Sequence, residues 1–124
     1  MNAIQRAQTA YGHHARATNT PRDTEYDAFA RVTRRLADAA KTPDNIPELA
    51  AAIYENRRLW MILASDVALQ SNPLPGDLKA RVLYLAEFAE VHGRKILAGK
   101  ATALPLIEIN TAIMQGLQNR SSTP

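Results

Sequence analysis

Apolar residues recur at spacings of three and four along most of the chain, and proline-, asparagine- and glycine-containing punctuation divides that pattern into five segments, each predicting a helix. Asn2 to Ala17 places Ile4, Ala7, Tyr11 and Ala15 on one face, a small-residue stripe suited to close packing. Thr20-Pro21-Arg22-Asp23 then supplies an N-cap, a proline for the first helical position and an acid for the first turn. The helix it opens turns Tyr26, Phe29, Ala30, Thr33, Leu36, Ala37 and Ala40 inward, and Lys41-Thr42-Pro43-Asp44-Asn45 closes it. Pro47 suits the first turn of the third segment, which continues through Leu49, Ile53, Asn56, Trp60, Leu63 and Val67 until Asn72-Pro73-Leu74-Pro75. Pro75 or Gly76 leads into the fourth, with Leu78, Val82, Leu85, Ala89, His92 and Ile96 on one face and Gly99 as its C-cap. The last begins at Thr102 to Pro105 and carries Leu106, Ile109, Ile113 and Leu117. No period-two stretch competes, so the fold expected is all-α, a single-domain helical bundle of about five helices without a sheet.

The third segment departs from an ordinary amphipathic pattern. Between Leu59 and Leu69 only Ser65 and Asp66 are polar, so the helix is apolar around most of its circumference. Such a helix must be covered by its own bundle or by a partner. Ile53, Trp60, Leu63 and Val67 take one side, while Tyr54, Met61, Ile62 and Leu69 take much of the other. Two readings follow: a central helix buried on both sides, or a helix whose second side is a groove for a partner's amphipathic helix. In the second, Met61 adapts to the ligand and Leu59 or Tyr54 anchors it.

Three polar residues interrupt the inward stripes: Asn56 beside Ile53 and Trp60, His92 between Ala89 and Ile96, and Asn110 between Leu106 and Ile113. A buried polar group left unpaired costs about 1–3 kcal/mol, so each needs a partner. Either the three bond across facing helices and set their register, or each bonds separately to nearby backbone.

Length and composition add bounds. The chain has 124 residues, 46% of them hydrophobic, which suits one domain spanning 1–124 with a frayed tail over 119–124. Absent cysteine removes disulfides and thiolate metal sites. The first residues form no continuous apolar h-region, and the longest apolar run falls short of the roughly 20 residues that span a bilayer, so a cytoplasmic protein is expected with no membrane partner. Fifteen Lys and Arg against twelve Asp and Glu give +3, yet the two signs are interspersed, as in Asp27 with Arg31, Asp77 with Arg81 and Glu90 with Arg94. Arg31, Arg34 and Arg35 share a surface of the kind that touches RNA phosphates, but Asp27 and Asp38 break it, and a solvated face is the expectation.

Enzyme chemistry finds no constellation. His13 and His14 are adjacent and cannot face one metal ion from a helix. Ser65, Asp66 and His92 lack a nucleophile turn or oxyanion-hole signature, and the five glycines form no phosphate loop. No catalytic, cofactor-binding or metal-ligating residue is therefore assigned.

Taken together, Asn56-Arg57-Arg58-Leu59-Trp60, Asp66, Asn72-Pro73-Leu74-Pro75, His92, and Leu106-Ile107-Glu108-Ile109-Asn110 with Gly116-Leu117 resemble the FlaF family of flagellar biosynthesis proteins, and so does Pro21-Arg22-Asp23-Thr24-Glu25. The resemblance covers nearly the whole chain. It implies a cytoplasmic helical protein that binds monomeric flagellin as a secretion chaperone and supports flagellin production and export, alongside a translational regulator of the FlbT type. Flagellin's terminal segments are amphipathic, so a helical partner that covers their apolar face would hold subunits unassembled. Candidate contacts are Tyr54, Arg57, Leu59, Met61, Ile62, Asn72 and Leu74, with Asn56, Trp60, His92 and Asn110 as a structural motif. The competing reading is a post-transcriptional regulator acting directly on flagellin mRNA.

Overall fold

The computed structural model describes residues 21–122, and side-chain surroundings over 25–117. Four helices follow one another there: α1 Pro21–Ala40, α2 Ile46–Val67, α3 Gly76–Leu97 and α4 Leu104–Ser122. Among the described residues there is no strand. The helix expected over Asn2 to Ala17 and the Thr20 cap lie outside them. α4 runs on to Ser122, past 119 where a tail was expected; residues 123–124 are again outside.

Local chemistry sets the boundaries. Asn45, assigned from sequence to the preceding stop, caps α2: its side-chain oxygen accepts from the Glu48 amide at 3.4 Å, and Pro47 sits in the first turn. α2 ends at Val67, several residues before Pro73, because Asn72 organises the next loop by itself. Its Oδ1 accepts from the Leu74 amide at 3.0 Å and its Nδ2 donates to Asp66 Oδ2 at 3.3 Å. α3 stops in a Schellman arrangement. Gly99 takes φ 74°, its amide bonds to the Ile96 carbonyl, and the Lys100 amide reaches back to the Lys95 carbonyl.

Burying the inward stripes arranges the helices in a ring. α1 lies against α2 and α4, α2 also against α3, and the consecutive pair α3 and α4 is the least engaged of the four neighbours. The backbones of α2 and α4 do not approach each other, which places them on a diagonal. Level markers show the helices alternating in direction. Arg35 in the second half of α1 pairs with Glu48 and Glu55 in the first half of α2, Phe29 meets Trp60, and Arg57 pairs with Glu90 of α3. Phe29, Leu36, Trp60 and Leu106 form the fully buried centre. Phe29 and Trp60 meet edge to face, centroids 5.5 Å apart at 79°, a favoured aromatic geometry. Gly93 has a packing role: a Cβ there would lie 3.0 Å from Ile53 Cγ2, so its bare backbone lets α3 sit close to α2.

Not every inward residue is covered. Leu78, placed on the inward stripe of α3, is 40% exposed. His92 is only half-buried.

Candidate functional site

Three of the four motif residues meet in the core. Trp60 Nε1 donates to Asn110 Oδ1 at 2.8 Å, and Asn110 Nδ2 donates to Asn56 Oδ1 at 2.8 Å, with Asn56 and Asn110 essentially inaccessible. The polarity of this relay is forced. An indole N–H can only donate, so it must face the Asn110 oxygen, and the Asn110 amide nitrogen must then face an acceptor. His92 is not a member; of the two courses open to it, it takes the separate bond to nearby backbone. Its Nε2 bonds to the Thr102 carbonyl at 2.9 Å, and its ring stacks on Phe88 at 5.2 Å. That contact fastens α3 to the loop at 98–103.

The contact candidates separate by exposure. Tyr54 and Met61 are 60% and 48% exposed, so the second side of α2 is not covered by the bundle. Leu59 is a correction: at 7% exposure it belongs to the core and is not available as an anchor. Ile62 is half-buried and packs on the same core. Asn72 spends its amide inside its own loop, and Leu74 beside it is half-buried. Arg57 is exposed but engaged, its Nε 3.2 Å from Glu90, whose carboxylate also takes Arg94 at 3.3 Å.

Of these candidates only Met61 lines the apolar groove on the outside of the α2–α3 pair. Met61, Ala64, Leu83, Ala86 and Val91 line it, and Glu87, Glu90 and Arg94 edge it, around a space of about 410 Å³. The Arg57–Glu90–Arg94 chain bridges both helices at one end. Leu83 and Val91 are exposed on α3 as Met61 is on α2, giving both walls uncovered apolar side chains. Sequence reasoning placed only the α2 wall. The signal for the other was present: Leu83 and Val91 are surplus apolar residues that fall off the inward stripe of α3.

Elsewhere, Arg35 gathers two carboxylates. Arg35 donates from Nε to Glu48 Oε1 at 2.9 Å and from Nη1 to Glu55. Hydrogen bonding to Arg35, reinforced by its charge, holds the Glu48 carboxyl below its usual range, and the same bond raises Arg35. Arg35 is thereby removed from the basic surface it shares in sequence with Arg31 and Arg34.

Among the described residues, fold and surface together define a four-helix bundle with an open apolar groove and no group of His, Cys, Asp and Glu placed to hold a metal ion. The chain belongs to the FlaF flagellar protein family: the family described as Flagellar protein FlaF matches residues 7–117. Comparison with curated proteins and with solved structures finds no match. No helix of the described residues is long and apolar enough to cross a membrane.

Proposed function

We propose that this protein binds monomeric flagellin in the cytoplasm as a secretion chaperone, seating an amphipathic terminal helix of the subunit in the outer α2–α3 groove, and so supports flagellin production and export. The observation that carries the reading is the pair of uncovered apolar walls, Met61 on α2 and Leu83 with Val91 on α3, flanking one groove. An amphipathic helix laid there would remove both walls from water, the ordinary driving force for helix-in-groove recognition. Met61 suits a site that must adapt to more than one sequence, since its unbranched thioether repacks easily. Family membership supports a flagellar role, and an FlbT-type translational regulator is the second partner in this reading.

Calorimetric titration tests it, using full-length flagellin and flagellin truncated at either terminus, at low and high salt. Apolar burial should give a negative heat-capacity change and weak salt dependence, with binding lost when one terminus is removed. Met61→Asp combined with Val91→Asp should weaken binding at least tenfold while the thermal melt stays near that of the parent. If no form of flagellin binds but flagellin message does, with affinity falling steeply with salt, direct post-transcriptional regulation replaces this reading.

A further inference from the structure

The outer α2–α3 groove carries its charges in a set order. Leu83, Glu87, Glu90 and Arg94 face it from α3 at spacings of four, three and four, a single helix face about 16 Å long. Glu87 is exposed and, among the described residues, makes no ion pair. Two turns further on, about 10 Å along the axis, Arg94 and the facing Arg57 of α2 share one oxygen of Glu90, at 3.3 and 3.2 Å. Two guanidinium groups on one carboxylate leave a positive charge in excess. Among the described residues Arg57 is engaged only through Nε and Arg94 only through Nη1, so both have N–H groups left to offer. Beyond Leu83, at the other end, Lys79 is held by the Leu69 carbonyl at 3.2 Å.

Apolar walls attract any amphipathic helix of suitable width and do not fix where along the groove it stops. Charges at a set spacing do, because a helix displaced by one turn loses both of its pairs. We propose that the groove takes an amphipathic helix bearing, along one rim of its apolar face, a base and an acid seven residues apart, the base against Glu87 and the acid against Arg94 and Arg57. The charge pattern presupposes the helix-in-groove reading and adds to it the chemistry of the partner. A ligand helix lying nearly parallel or antiparallel to α3 repeats on the same two-turn period, so the two pairs form together. Both lie at a solvated rim, where ion pairs are weak; they select among helices, while Met61, Leu83 and Val91 supply the affinity.

Fluorescence anisotropy with the full-length protein tests this on synthetic helical peptides of about 18 residues that share an apolar face of leucine and alanine. The matched peptide carries lysine and glutamate seven residues apart on one rim. The others carry glutamate at both positions, lysine at both, or the same lysine and glutamate moved to the polar face. At low salt the matched peptide should bind the parent about fivefold more tightly than the peptide with its charges moved, and the difference should shrink at high salt as rim charges are screened. Glu87→Lys should turn the preference to the peptide with two glutamates, and Arg94→Glu to the one with two lysines. Glu108→Lys, the same charge change on the exposed surface of α4, should leave the parent's order intact. Met61→Asp combined with Val91→Asp should abolish binding of every peptide. Equal affinity for all peptides, binding of none, a preference that Glu108→Lys shifts as far as Glu87→Lys does, or binding that survives loss of the apolar walls overturns the proposal. Matched-peptide binding that weakens as the protein is concentrated also overturns it, by assigning the groove to a second copy of the chain. Because the probes are synthetic, the two readings fail separately. A matched-peptide preference without flagellin binding discards the chaperone role and keeps the charge pattern, and flagellin binding without a peptide preference does the reverse.

Discussion

Trp60 and Asn110 are joined by a 2.8 Å hydrogen bond across a diagonal of the bundle, between helices whose backbones do not come near each other. Only side chains as long as an indole and an amide can meet there. The bond passes on to Asn56, so two positions of α2 grip one side chain of α4. Apolar stripes alone permit helices to slide by a turn, whereas a donor that must find its acceptor in a dry core does not.

The relay predicts an order of costs. Asn110→Ala strands both the Trp60 N–H and the Asn56 oxygen, while Asn56→Ala strands only the Asn110 amide. At about 1–3 kcal/mol for each orphaned group, Asn110→Ala should be the more destabilising of the two in urea unfolding. Trp60→Ala, which also empties the place against Phe29, should cost about 3–5 kcal/mol. Equal costs at 56 and 110 would mean the chain of bonds does not act as a unit.

Gly93→Ala sets helix propensity against packing. Alanine gains about 1 kcal/mol over glycine in a helix interior. Its Cβ, however, would stand 3.0 Å from Ile53 Cγ2, and Ile53 is buried and β-branched, with little freedom to move. Overpacking of about 1–3 kcal/mol should win, giving a net loss of stability. Ile53→Leu, which has no methyl on Cβ, should recover part of the loss in the double variant. A melt of Gly93→Ala at or above that of the parent would show that α2 and α3 can separate freely.

Thr33 Oγ1 is buried on α1 with no hydrogen-bond partner among the described residues. Replacing the hydroxyl by a methyl of nearly the same shape removes an unsatisfied group without opening a cavity. Thr33→Val should therefore raise stability by about 1 kcal/mol, read as an upward shift of the denaturation midpoint with unchanged slope.

Acid should act through Glu48. Its folded carboxyl titrates below the unfolded value because Arg35 bonds to it. The unfolded chain thus binds the proton more readily, and the contribution is present above the ordinary glutamate range. It is lost as pH falls from that range through the lower folded value. Both side chains are substantially exposed, at 36% and 43%, so the effect is screened and modest. The melting difference between the parent and Glu48→Gln should be visible near neutrality at low salt and shrink toward zero in acid. A difference that persists at pH 2 would assign the loss to packing of the side chain.

By itself the sequence determined the elements, because their signals are local. Pro21, the cap-and-proline pair at Asn45 and Pro47, the Pro75-Gly76 start and Gly99 act within a turn of where they sit, and the spacing of Phe29, Trp60 and Ile96 marks an inward face without reference to any neighbour. The same logic put Asn56 and Asn110 on buried stripes. Tertiary structure decided which stripes face each other. His92 lies on its helix as Asn110 does on its own, yet it reaches the Thr102 carbonyl while Asn110 reaches α2, a difference set by where α3 and α4 sit and invisible in either segment alone. Likewise Leu59 and Met61 are both apolar and two residues apart, but only the positions of α1 and α3 around α2 bury the first and leave the second on the wall of a groove. Periodicity reports a direction around one helix axis, and burial depends on how many other axes lie in that direction.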